Sequence, residues 1–214
     1  MLCDDVDMSA ATSSTRRIVL VEGASDRIAL LAVAARDGRD LTAAGVEIVP
    51  MGGVTNTRAF ALHYGPAGCD LTLAGLYDAP EEEFVRGGLT AAGIVTASES
   101  VVAESGQPDG DAPTPDDLAE LGFFRCTRDL EDELIRAVGV DEVEAVIEAN
   151  GEGRSLRLLA QMPAQAGGSR EELLRRFMTS QSGRKARYAQ LLVDAVPDGR
   201  VPSPLRDLLA WVCD

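Results

Sequence analysis

The chain has 214 residues, enough to bury one domain with a sizeable appendage, and its 45% hydrophobic and 26% charged content is ordinary for a folded soluble protein. Thirty-five acidic against 20 basic residues leave a net charge of −15, a field that repels nucleic acid over most of the surface, so phosphate contact must be local or carried by metal ions. No apolar run approaches a membrane span, which excludes the membrane as a partner, and the acidic start "MLCDDVDMSAATSST" has neither the basic region nor the apolar core of a signal peptide. Cys3, Cys69, Cys126 and Cys213 are dispersed without a C-x-x-C pair, and His63 is the single histidine, a pattern that argues against zinc. The expected setting is a reduced cytoplasm.

Residues 1–15 read as a disordered lead-in. From Arg17 onward, short β-rich runs alternate with helical stretches, as in a parallel sheet with crossover helices. The runs are "IVLVEG" (18–23), "VEIVPMGG" (46–53), "LTLAGLYDA" (71–79) and "FFRCT" (123–127). Helices are expected at 25–37, with Ser25 as its cap, at 55–63 and at 81–92. The Ser-, Gly-, Pro- and Asp-rich stretch 96–117 reads as a long flexible surface loop. After "FFRCT" the chain is helical, with pieces near 129–139, 140–150, 170–180, 184–196 and 203–212. The fold class is therefore α/β, a parallel sheet with flanking helices at 16–139, followed by a helical C-terminal extension at 140–214 packed on it.

In an open parallel sheet, ligands bind beyond the carboxyl ends of the strands. Glu22 ends the first run, Asp78 the third, and Asp129 and Glu131 follow the fourth, while Asp26 lies on the first helical turn after Glu22. Acids gathered at one sheet edge repel each other unless a cation sits among them, and hard oxygen ligands select Mg²⁺ or Mn²⁺. Each has a plainer reading. Asp26 favours the positive end of its helix, Asp129 caps the helix "LEDELIRAVG" with Glu131 in its first turn, and Glu22 pairs with an arginine. Asp132 and Glu133 are expected on the solvated side of that helix.

"LVEGASD", the "MGGVTN" strand and turn, "LYDA" and "DLEDEL" together resemble the TOPRIM domain, in the version found in OLD-family nucleases, where it usually follows an ATPase domain. The resemblance runs from about residue 17 to about residue 196 by eye. It implies a TOPRIM-like sheet and a metal-dependent phosphodiester hydrolase or nucleotidyl transferase of the endonuclease type, acting on nucleic acid, DNA above all. Glu22 and Asp78 would hold one Mg²⁺ or Mn²⁺ ion, and Asp26, Asp129 and Glu131 a second, at a spacing of roughly 3.5 to 4 Å. Gly23, Gly52 and Gly53 would let the backbone turn closely around the site.

The chain departs from the family pattern at the third strand. Where TOPRIM has Asp-x-Asp, this sequence reads Asp78-Ala79-Pro80. Glu81 can substitute for the missing acid, or Pro80 and Glu81 can simply open a helix. A lost ligand means one-metal chemistry, weaker affinity, or a degenerate TOPRIM fold serving as a non-catalytic binding or regulatory subunit. No G-x-x-x-x-G-K-[ST] occurs in these residues, so ATP, if used, is expected from a separate ATPase protein. The oligomeric state is left open, a homo-oligomer included.

The segment 169–192 reverses the local charge, with Arg170, Arg175, Arg176, Arg184, Lys185 and Arg187 against Glu171 and Glu172. Arg170 and Arg175 are expected on the wet face of an amphipathic helix. Arg176, Arg184, Lys185 and Arg187 are the candidate nucleic-acid contacts. Lys185, the chain's single lysine, matches the lysine that in OLD-like nucleases helps neutralise the transition state, so the candidate catalytic set is Glu22, Asp78 and Lys185. His63 and Trp211 are expected to be structural.

Overall fold

The computed structural model describes residues 16–95, 117–165 and 167–213. The expectations for residues 1–15 and 96–116 fall outside the described residues. Four strands, β1 (Arg17–Val21), β2 (Val46–Pro50), β3 (Thr72–Asp78) and β4 (Phe123–Cys126), form one parallel sheet in the order β2-β1-β3-β4. The helices are α1 (Ala24–Arg36), α2 (Thr57–Tyr64), α3 (Glu82–Ala91), α4 (Asp117–Glu120), α5 (Leu130–Val138), α6 (Val140–Ala149), α7 (Gly153–Ala160), α8 (Arg170–Thr179), α9 (Arg184–Ala195) and α10 (Ser203–Cys213). Short 3₁₀ turns lie at Val54–Asn56, Ala79–Glu81 and Pro163–Gln165.

The sheet is covered on both faces, and the side-chain alternation of β1 shows how. Val19 and Val21 enter one core with Ala29, Leu30 and Val33 of α1, Leu134 and Ile135 of α5, Leu192 and Val193 of α9, and Leu205, Leu208 and Leu209 of α10. Ile18 and Leu20 enter the other with Phe60 and Tyr64 of α2 and Val85 and Leu89 of α3. The long helical C-terminal part is thus built into the first core. Arginines of the sheet layer fasten it: Arg17 donates to the Val212 carbonyl at 2.6 Å, Arg36 to Val196 at 2.6 Å and Arg39 to Leu209 at 3.1 Å. Trp211 packs on the backbone before β4, where Gly122 has φ +87° and an added Cβ would meet the indole ring at 3.0 Å.

Two local expectations need correction. Ser25 does not cap α1: it is a buried residue inside the helix, and the Asp26 carboxylate closes the turn by accepting from the Gly23 N–H at 2.8 Å. Glu133 does not lie on the solvated side of α5. It is buried and accepts from the Thr127 N–H at 2.8 Å, because the chain leaving β4 needs that acceptor, and it pairs with Arg136 at 2.7 Å.

The strand order fixes where a site can form. From β1 the chain crosses to β2 on one side, and β3 lies on the other, with α1 and α2 on opposite faces. The crevice between the carboxyl ends of β1 and β3 is therefore the topological switch point.

Candidate metal centre

Glu22 directly follows β1 and Asp78 is the last residue of β3, so one acid stands on each side of the switch point. The turn after β2 holds Glu22 in place: Met51 donates to the Val21 carbonyl at 2.8 Å and Gly53 to the Glu22 carbonyl at 3.1 Å. Gly52 and Gly53 make that turn with φ of +72° and +126°, values that disfavour any residue with a Cβ. Gly23 has no such requirement. Its φ of −148° is ordinary extended backbone, and an added Cβ would meet Asp26 Oδ2 at 3.8 Å, a normal contact.

Glu81 completes the group. β3 ends at Asp78 and a 3₁₀ turn follows at Ala79–Glu81 with Pro80 inside it; residues three apart lie over one another in such a turn, so Glu81 returns to the side of Asp78. Ligand oxygens of Glu22, Asp78 and Glu81 all lie within 4.8 Å of one another, and no other such group of His, Cys, Asp and Glu occurs among the described residues. Burial, and then the charges of Asp26, Asp129, Glu22 and Glu81, push the Asp78 carboxyl up to about 8. Glu81 is raised as well, first by burial and then by Glu22 and Asp26. Its Oε2 is buried with no hydrogen-bond partner among the described residues. A buried acceptor without a donor, amid like charges, is costly to maintain. Three hard carboxylates and an orphaned oxygen are the donor set that a divalent cation such as Mg²⁺ or Mn²⁺ satisfies.

The remaining acids of the expected ligand set are arranged differently. Asp26, 7% exposed, gives Oδ2 to the Gly23 N–H, and burial raises its pKa against the opposing pull of that bond and of Lys185. Asp129 is the N-cap of α5: its Oδ1 accepts from the Asp132 N–H at 2.8 Å while Oδ2 is bonded to Arg175 Nε. Glu131, in the first turn of α5, is buried with Oε2 3.1 Å from Lys185 Nζ. Burial pushes Glu131 up although Lys185 opposes it. Burial pulls Lys185 down, but Glu131, Asp26 and Glu22 outweigh it and hold the ammonium above its usual range. Glu22, Asp26, Gly183 and Lys185 line one open cleft of about 350 Å³. Asp26, Asp129 and Glu131 are thus near the tri-acid group without forming part of it.

The basic segment divides in two. Lys185 reaches the acidic cleft. Arg184 does not present its charge outward: at 5% exposure it stacks over the Phe177 ring at 4.0 Å, donates to the Phe177 carbonyl at 3.0 Å, and faces Glu152 at 3.1 Å. Arg187 is exposed but also paired with Glu152, which these arginines and Tyr188 hold below its ordinary pKa despite the opposing effect of burial. Arg176 is exposed on α8. Arg170 bridges Asp141 and Glu144 at 2.7 and 2.9 Å on the surface. Arg175, expected on a wet face, turns instead to Asp129.

Sequence reasoning weighed Glu81 but left it out of the ligand set. The usable signal was its place three residues after Asp78 behind a proline, a spacing that a 3₁₀ turn folds back. Glu152 carried no signal, since its partners lie more than thirty residues on.

Residues 15–70 match the sequence profile described as "Overcoming lysogenization defect protein-like, TOPRIM domain". The fold is similar to that of the C-terminal region of the Xanthomonas campestris pv. campestris OLD protein, with TM-score 0.65 and 23% identity over 94% of this chain and 93% of that one. It is also similar to the C-terminal region of the Burkholderia pseudomallei OLD protein, with TM-score 0.64 and 22% identity over 92% and 96% of the two chains. Among curated proteins, none matches the sequence.

Proposed function

From the premise that this chain carries a TOPRIM domain of the OLD-like type, we propose that it is a Mg²⁺- or Mn²⁺-dependent phosphodiester hydrolase acting on nucleic acid, DNA in the first instance, in a reducing cytoplasm. The observation that carries the reading is the convergence of Glu22, Asp78 and Glu81 at the switch point, with oxygens within 4.8 Å of one another. These three residues would hold the ion. When bound, it supplies Lewis-acid polarisation of a phosphoryl oxygen and lowers the pKa of water at the site.

The chain's own groups do the rest. Glu22 and Asp78 are fixed by the ends of β1 and β3, so they keep their spacing without reorganisation. Lys185 projects from the first turn of α9 into the cleft that Glu22 and Asp26 line, and its ammonium stays charged at neutral pH. It meets negative charge that develops on the phosphate. Asp26 keeps the turn after Glu22 closed through the Gly23 N–H. In a molecule of net charge −15, one ammonium and a divalent ion in a single cleft confine phosphate contact to that place. Arg176, exposed on α8, and Arg187, exposed on α9 though paired with Glu152, are the further candidate phosphate contacts.

Cleavage assays on plasmid and single-stranded DNA with Mg²⁺ and Mn²⁺ test this reading. Cleavage that Glu22→Gln abolishes supports it. Activity retained in that variant overturns the site assignment. The competing reading, a non-catalytic binding subunit, rests on Pro80 standing where the family has its second acid. It predicts no heat and no thermal shift on titration with Mn²⁺.

A further inference from the structure

Resting on that metal-binding reading, we infer that this chain holds one divalent cation rather than two, and that Arg175 and Lys185 provide the positive charge beside the remaining acids. Among the described residues, only Glu22, Asp78 and Glu81 converge on a common point. The other three acids at this edge each face a backbone N–H or a cation of the protein itself. Asp129 has both oxygens committed, one to the Asp132 N–H at 2.8 Å and one to Arg175. Glu131 faces the Lys185 ammonium at 3.1 Å, and Asp26 holds the Gly23 N–H at 2.8 Å.

A second ion at these acids must displace two cations and open two backbone contacts. Arg175 is the harder to remove. Its guanidinium is permanently charged and more weakly hydrated than an ammonium, and it is fixed from α8, part of the first core. Asp129 in turn closes the first turn of α5, so drawing it toward a metal uncaps that helix. The electrostatics divide in the same way. Every charged neighbour that acts on Asp78 is an acid, whereas Glu131 and Asp129 each face a basic side chain. Among the described residues, no ion pair is formed by Glu22, Asp78 or Glu81, and Lys185 acts on Glu22 and Glu81 only from across the cleft. Positive charge opposite the single ion then comes from Lys185, which is paired with Glu131 at 3.1 Å.

Stoichiometry tests this directly. Mn²⁺ is titrated into the full chain by calorimetry, and in parallel by the loss of the free-ion EPR signal. One ion per chain is expected at saturation. Its affinity should fall at least about tenfold in Asp78→Asn or Glu81→Gln and stay unchanged in Glu131→Gln. In the double variant Arg175→Met, Lys185→Met, checked for an intact thermal transition, the freed acids should admit a second, weaker ion. Two ions on the wild-type chain, the second lost in Glu131→Gln, would overturn this inference and leave the proposed function standing. No bound ion at all would overturn both. A double variant that folds and still binds one ion would overturn the role given to the two cations.

Discussion

Two groups of acids stand out in this chain, and the rest of the molecule treats them in opposite ways. Asp129, Glu131, Glu133 and Glu152 each face a basic side chain: Arg175, Lys185, Arg136, and the pair Arg184 and Arg187. Glu22, Asp78 and Glu81 instead face one another, their oxygens within 4.8 Å and, among the described residues, without an ion-pair partner at that distance, and Asp78 is pushed up to about 8. Buried charge that a protein pairs internally holds elements together, here α5 to α8 and α9. Like charges crowded together at a half-buried site raise the energy of the metal-free chain, and a ligand that binds there relieves them. The difference supports placing the proposed ion in the second group.

The comparison breaks most visibly at Glu22. Glu22→Gln, or Asp78→Asn, should remove metal-dependent cleavage while the chain still folds, read by plasmid nicking together with a melting curve. Lys185→Ala comes next, because one electrostatic group of this kind is worth on the order of 100-fold in rate. Turnover at saturating Mn²⁺ should fall by that factor, with the Glu22–Asp78–Glu81 ion still bound, and Lys185→Arg should recover little, since the guanidinium differs in shape and reach. Equal turnover for Lys185→Ala and wild type would remove the lysine from the catalytic set.

A smaller effect sharpens the contrast through pH. With Asp78 pushed up to about 8 in the metal-free chain, the ion must displace its proton at neutral pH. Mn²⁺ affinity should therefore rise about tenfold per pH unit between roughly pH 6 and 8 and level off above. The sign for stability is the reverse. The raised pKa means that the fold favours the protonated form, so the contribution of Asp78 is fully present in acid and is lost as pH rises through about 8. Metal-free wild type should lose melting temperature over that window, and Asp78→Asn should lose less. Flat affinity from pH 6 to 8 would show that Asp78 binds no ion. The smallest effect belongs to the paired group. Asp129→Ala should lower stability by about 1 kcal/mol through its helix cap and shift the Mn²⁺ affinity of the chain far less than Asp78→Asn does.

Much of this arrangement was legible in residues 17–138. Apolar runs ending in Glu22 and Asp78 announced both the strands and their acids, because a buried parallel strand must stay apolar until it emerges at the ligand-binding edge. What was hidden depended on contacts between distant segments. "SGRKARY" reads locally as three outward cations, yet Arg184 is drawn inward by the Phe177 ring and by Glu152, whose position no local pattern reveals. Helix α7 was missed because "GRSLRLLA" opens on glycine, and its burial rests on Leu156 packing into the shared core. Arg175 read as a solvated arginine, since its helix shows the amphipathic pattern and its partner Asp129 lies 46 residues away.

The most direct test compares two neighbouring glutamates. Glu81 belongs to the tri-acid group, whereas Glu82, the next residue, is paired with Arg86 at 3.0 Å and Arg125 at 3.6 Å. Calorimetric titration of Mn²⁺ into Glu81→Gln and Glu82→Gln at pH 8 isolates what the 3₁₀ turn contributes. The account predicts at least about tenfold weaker binding in Glu81→Gln and wild-type affinity in Glu82→Gln. Wild-type affinity in Glu81→Gln would contradict it, because the ion would then be held by some other set of acids.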